Sequence, residues 1–239
     1  MAGRALSTDR RNALSALADD LRRIFGVRLK ALLAYGLQRL DADEESLHTL
    51  ALVDRVTFDD LAACIPAADG WAQAGLAVPL VISHDEFRRT LDVFPLEYDE
   101  IVADHVVIEG ADPFAEVRVA EADLRRAIES QAKSHLIHLR EGFLESGRNS
   151  KAVARLIAAS APAFRTLLRN ITRLDGRAVS ADDAIADAAE QTIRIDAGLV
   201  LEVLNAASAA TTAVDPTALL SRYMAAAERV WRYVDGWKK

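Results

Sequence analysis

Cysteine occurs once in this chain, at Cys64, so no internal disulfide can form and a packed core has to supply the stability. No stretch approaches the roughly eighteen uninterrupted apolar residues of a membrane-spanning helix, because Asp, Glu, Lys or Arg interrupts every candidate. Residues 1–20 carry charges where a secretory signal would need an apolar run. Together these absences predict a cytoplasmic protein without membrane attachment. A basic excess is also missing: 29 Lys and Arg face 36 Asp and Glu, a net charge of −7, which repels phosphate backbones at long range and argues against nucleic acid as a partner. Internal repeats and low-complexity tracts are absent, alanine-rich patches apart.

What is present is apolar material, 51% of 239 residues, enough for one large core or two modest ones. Charge divides the chain unevenly. Residues 1–115 hold eleven Lys and Arg against twenty Asp and Glu, a balance of −9, while residues 116–239 hold eighteen against sixteen, a balance of +2.

The patterning divides at the same place. Ser7 or Thr8 can cap a helix whose Leu14, Leu17, Leu21 and Ile24 recur at helical spacing, and Gly26 ends it. Residues 27–35 and 47–53 are compact apolar runs that read as buried strands. Thr57 caps a helical stretch that Pro66 is expected to kink or end, and Gly75 closes it. A third strand is expected over residues 78–82, a short helix from Ser83 to Leu91, and a fourth strand within residues 96–108, interrupted near Asp104 and His105. Beyond Gly110 only helical patterns remain, over residues 121–146, 149–174, 181–193, 199–207 and 216–234. The expectation is an α/β layer over residues 1–115 with its strands in one mixed sheet, followed over residues 116–239 by an α-helical bundle.

That order of elements, with the first strand ending Leu33-Ala34-Tyr35-Gly36, resembles the minimal nucleotidyltransferase fold. The stretches Phe94-Pro95-Leu96-Glu97-Tyr98, His105-Val106-Val107-Ile108-Glu109-Gly110 and Asp112-Pro113-Phe114 are similar to a segment of uncharacterised bacterial nucleotidyltransferase-like proteins that carry an added C-terminal helical domain. The resemblance implies a Gly-Ser pair after the first strand, an Asp-x-Asp at the start of the second and a further acidic residue on the third. Such carboxylates hold two magnesium ions that neutralise a nucleoside triphosphate and activate the attacking hydroxyl. In this chain Gly36 matches the glycine, Leu37 stands at the serine position, Leu47 and Thr49 stand at the two aspartate positions, and the third strand offers Val78, Pro79 and Leu80. The resemblance therefore implies a degenerate metal-binding motif and a pseudoenzyme.

A literal Asp-x-Asp does occur, at Asp41 and Asp43 beside Glu44 and Glu45, in the loop before the second strand. Its plain reading is a solvated acidic loop; the sharper one is an unusual metal site of Asp41, Asp43 and His48. His135 and His138 share a helix face, but with no further ligand signalled they read as a packed or hydrogen-bonded pair. His105, which matches a histidine of the resembling proteins, reads as a structural residue at a strand-to-helix turn, and Cys64 as buried filler on an apolar helix face. Arg165, Arg169 and Arg173, with Arg155 and Arg148 nearby, form a stripe that covers a helix or lines an anion-binding groove between the domains. Trp231 with Tyr223 and Tyr233 is the aromatic group best suited to an interface.

Three functions fit these residues. The first is a catalytically inactive nucleotidyltransferase-like protein that works as an interaction module, binding a protein partner or itself, with no cofactor. The second is a nucleotidyltransferase with an atypical metal site, which would need magnesium and a nucleoside triphosphate. The third is an anion or small-molecule sensor built on the arginine stripe.

Overall fold

The apolar spacing at the start of the chain does form a helix. In the computed structural model, which describes residues 6–37, 46–147, 149–177, 179–206 and 215–237, α1 runs Thr8–Phe25. The Ser7 hydroxyl accepts a hydrogen bond from the Arg10 amide at 3.3 Å, and Gly26, at φ +55°, closes the other end by donating its amide to the Arg22 carbonyl. A 3₁₀ turn, Gly26–Arg28, takes the place of the expected first residues of the strand; Val27 is 90% exposed there. β1 then covers Leu29–Tyr35 and β2 His48–Val53.

Thr57 and Asp60 form a capping box at the head of α2, Phe58–Gln73. The Asp60 carboxylate also receives two guanidinium N–H groups of Arg28, at 2.8 and 2.6 Å, which hold its carboxyl well below the usual carboxylate range. Pro66 was expected to kink or end this helix, yet α2 continues through it. Pro66 and Ala62, whose carbonyl loses its partner, both lie on the exposed face, so water satisfies the freed group. Past it, Ala67, Ala68 and Trp71 keep the other face packed.

β3 is Leu80–Ser83, and a second capping box, Ser83 with Glu86, starts α3, His84–Arg89. Residues 96–103, expected within a strand region, are helical instead: α4 is Pro95–Ala103, and β4, His105–Gly110, begins only after Asp104. Proline at the first helical position has its φ already set, and Pro95, Tyr98 and Ile101 bury one face at helical spacing. Over these residues the three-residue spacing of buried positions sets a helix, and the strand is confined to β4.

The four strands lie in the order β3-β2-β1-β4. β1 pairs antiparallel with β2 and with β4, and β2 pairs parallel with β3. Both faces are covered. Leu14, Leu17 and Leu21 of α1 and Trp71 of α2 pack on Leu32, Ala34, Leu47 and Ala51, while Phe87, Tyr98, Ile101 and Phe114 pack on Ala31, Leu33, Leu50 and Leu52. This compact unit spans Met1–Ala120.

A second compact unit, Glu121–Lys239, is helical: α5 Glu121–Ser146, α6 Ser150–Leu174, α7 Asp182–Ile193, α8 Ala197–Asn205 and α9 Pro216–Asp235. Asn149, Asp196 and Asp215 cap α6, α8 and α9 through their side chains. At its centre His135 of α5 stacks on Phe164 of α6 and shares a 2.7 Å hydrogen bond with the Tyr223 hydroxyl of α9. Tyr223 is fully buried and packs edge-on against Phe164, with ring centroids 4.8 Å apart.

Two consequences can be measured. Gly110 sits at φ +80°, where a Cβ would come within 1.9 Å of the Lys30 carbonyl oxygen, so Gly110→Ala should cost at least about 2 kcal/mol, visible as a lowered urea midpoint. Burial, helped by His138, pushes the His135 imidazole down to about 4. Its folded value lies below its unfolded one, so its share of stability is complete above about pH 6.5 and is lost as the pH falls toward 4, by about 3 kcal/mol. Urea unfolding at pH 7 and pH 4.5 should show that loss, and His135→Gln should flatten the dependence.

Candidate functional site

The end of β1 is where the sequence placed a site. Gly36 leaves the strand at φ +70°, a conformation that suits glycine, and donates its amide to the Asp104 carbonyl at 3.0 Å. Two rows of residues cross the sheet beside it. The outer row is His48, Tyr35 and His105, on β2, β1 and β4; the next is Thr49, Ala34 and Val106. The strand flanking β1 opposite β2 is therefore β4. The sequence had looked for the third acidic position at Val78, Pro79 and Leu80, but these precede or begin β3, at the sheet edge beyond β2.

The outer row is held by its neighbours. His48 stacks on Tyr35 at 5.6 Å. The His105 ring bonds the Ile101 carbonyl through Nδ1 at 2.8 Å and the Asp112 carboxylate through Nε2 at 3.2 Å, and it lies against Phe114. Asp112 in turn accepts the Phe114 amide at 2.8 Å. The segments that carried the family resemblance thus form one packed cluster: α4, the start of β4 and the turn after it.

The second row faces α1 and α2. Leu47 is 1% exposed and meets Leu76 across a parallel bridge, with its amide donated to the Gly75 carbonyl at 2.9 Å. Thr49 is equally buried, and its Oγ1 has no hydrogen-bond partner among the described residues. Leu37 is buried as well. A hard divalent cation needs several oxygen ligands with negative charge among them. Leu37, Leu47, Ala34 and Val106 have no side-chain oxygen and Thr49 has one neutral hydroxyl, so these residues do not fit magnesium. Glu109 lies farther along β4, opposite Leu32, where its Oε1 accepts the Arg22 guanidinium at 2.7 Å. Among the described residues no three His, Cys, Asp or Glu side chains gather as a metal group. Asp41 and Asp43 lie outside the described residues.

Comparison with solved structures gives a likeness over nearly the whole chain. A spectinomycin adenyltransferase from Enterococcus faecialis, solved with ATP and spectinomycin, matches 92% of this chain and 98% of its own, with a TM-score of 0.55 and 12% sequence identity. The chain has the nucleotidyltransferase-like fold. A mixed four-stranded sheet with flanking helices is followed by a helical region, as the element order had implied. At 12% identity the likeness is one of fold, since function resides in the site rather than the scaffold. No protein-family model matches the chain, and no curated protein matches it in sequence.

The remaining sequence candidates are placed as follows. Arg165 is engaged: its guanidinium donates twice to Asp182, at 2.7 and 2.9 Å, and once to the Leu204 carbonyl. Arg169 and Arg173 also have interactions of their own, and Arg148 lies outside the described residues. The aromatic group expected at an interface has internal contacts. Tyr223 is core, the Tyr233 hydroxyl and the Trp237 indole both donate to Asp175, and the Lys133 ammonium sits 3.5 Å over the Trp231 ring. Trp71 is buried with its indole N–H on Asp20. Cys64 is half-buried against the core, and burial pushes its thiol up. His138 lies on the surface near Ser134, while His135 belongs to the core. Among the described residues no helix is long and apolar enough to cross a membrane.

A buried hydroxyl without a partner costs free energy that an isosteric methyl does not. Thr49→Val should therefore raise stability by about 1 kcal/mol in chemical denaturation; a loss of similar size would mean that the hydroxyl has a partner.

Proposed function

We propose that this protein has the nucleotidyltransferase fold without metal-dependent nucleotidyl transfer, and that it acts in the cytoplasm as a binding module for a protein partner or for a second copy of itself. The observation that supports this reading is the burial of Leu47 and Thr49, each 1% exposed, at the two positions where the fold's chemistry calls for paired carboxylates. A side chain packed into the core cannot also project a charge toward a solvated triphosphate. Leu37, buried at the position of a phosphate-cradling serine, points the same way. The scaffold is kept by apolar packing, and what remains for selection to act on is surface.

The test is a thermal-shift panel of nucleoside triphosphates with and without magnesium, paired with a transfer assay using labelled ATP. The expected result is no magnesium-dependent shift and no transfer. A magnesium-dependent shift that disappears in Asp41→Ala/Asp43→Ala would overturn the proposal in favour of a transferase with an atypical metal site.

A further inference from the structure

β3 is the edge of the sheet, and the face it turns toward α3 and α4 is incompletely filled. By alternation Leu80 and Ile82 share that face, and with Phe94 and Ile101 they wall a cavity of about 460 Å³. This falls within the roughly 300–1,000 Å³ of small-molecule sites. Leu80 and Phe94 are 46% and 50% exposed, so the cavity opens to solvent across an apolar rim. A free edge can also recruit another strand, but β3 has four residues and Pro79 precedes it, a combination that discourages strand addition. The cavity, more than the edge, is the feature to explain.

Its polar side chains among the described residues are all of one kind. The Thr90 hydroxyl donates to the Glu86 carbonyl at 2.8 Å, so in its 2.9 Å contact with Tyr98 it accepts, and the Tyr98 hydroxyl donates. Tyr98 therefore has its proton committed and only lone pairs to offer. Glu86 and Glu97 supply carboxylates at the wall, and Glu86 is kept ionised by the Ser83 hydroxyl and amide. Burial pushes the Tyr98 phenol up, with Glu86 and Glu97 adding to it, so it stays protonated. Among the described residues no Lys or Arg lines the cavity. An apolar chamber whose polar side chains offer acceptors and negative charge favours a hydrogen-bond donor with positive charge.

We propose that the cavity between β3, α3 and α4 binds a small lipophilic amine as its ammonium ion. The apolar group lies against Leu80, Ile82 and Ile101, and the N–H groups are donated to Glu97, Glu86 and the Tyr98 oxygen. This site lies on the opposite face of the sheet from Leu47 and Thr49 and does not depend on the reading given to them.

The protein, methyl-labelled for NMR, would be titrated with 4-phenylbutylammonium, with 4-phenylbutyrate of opposite charge, and with 4-phenylbutanol. Saturable binding of the ammonium is expected, with shifts at the Leu80, Ile82 and Ile101 methyls and an affinity at least about tenfold above that of the carboxylate. Leu80→Trp, at a half-exposed position that tolerates bulk, should abolish binding. Glu97→Gln should weaken the ammonium several-fold and leave the alcohol unchanged. Equal affinity for the ammonium and the carboxylate, methyl shifts confined to other regions, or no saturable binding would overturn the proposal. The comparison of charges on the unaltered protein stands even if a variant fails to fold.

Discussion

Everything in the first unit depends on β1 being enclosed. It is hydrogen-bonded on both edges and covered on both faces, and Ala31, Leu32, Leu33 and Ala34 are each at most 1% exposed. Burying a large aliphatic side chain is worth about 1.5–3 kcal/mol, so such a strand anchors the sheet. It also dictates what its neighbours can carry. A charged group beside this strand has to sit at its end, where the chain reaches solvent, or be held by a partner, because an unpaired buried charge is far more costly than any packing it displaces. Glu109 obeys the second condition through Arg22, and Asp60 does so through Arg28. Leu47 and Thr49 obey neither because they are not charged; they extend the same core by another row.

The second unit is organised by a different device, a polar pair inside an apolar bundle. His135 and Tyr223 satisfy each other on facing helices, and Phe164 packs against both rings. A buried hydrogen bond of this kind is directional where leucine packing is not, so it fixes the register of α5 against α9. Asp175 does the same at the other end of α9, receiving Tyr233 and Trp237 at the turn after α6. Tyr223 and Tyr233, two of the aromatic residues that looked suited to a partner, take part in this internal bracing.

The order of elements was legible in the sequence because periodicity reports burial, and burial is what folding selects. Phe164, Leu168 and Ile171, at helical spacing in the sequence, form one buried stripe, each 1% exposed. Thr57 and Ser83 announced helix starts through chemistry confined to three or four residues. Two kinds of information were not local enough to be read. Pro95 to Ala103 carries strand-like residues at helical spacing, and the capacity of water to satisfy the carbonyl freed by Pro66 depends on which face of α2 is exposed. Sheet order is the other: the pairing of β1 with β4 joins residues some seventy positions apart, so the row Thr49, Ala34, Val106 exists only in the fold. The cavity beside β3 was hidden for the same reason, since its walls come from β3, α3, the turn after it and α4.

Stability and a two-metal site compete for the same positions in such a fold. Carboxylates brought close enough to share a cation repel one another when it is absent, and each loses hydration at the strand ends. A sheet that keeps them carries that penalty in the unliganded state. Replacing them with leucine removes the repulsion and adds buried apolar area, so the change is favourable to folding as soon as transfer is no longer required. Thr49 sits in this apolar row as its polar member, buried with its hydroxyl lacking a partner among the described residues, which folding alone does not favour.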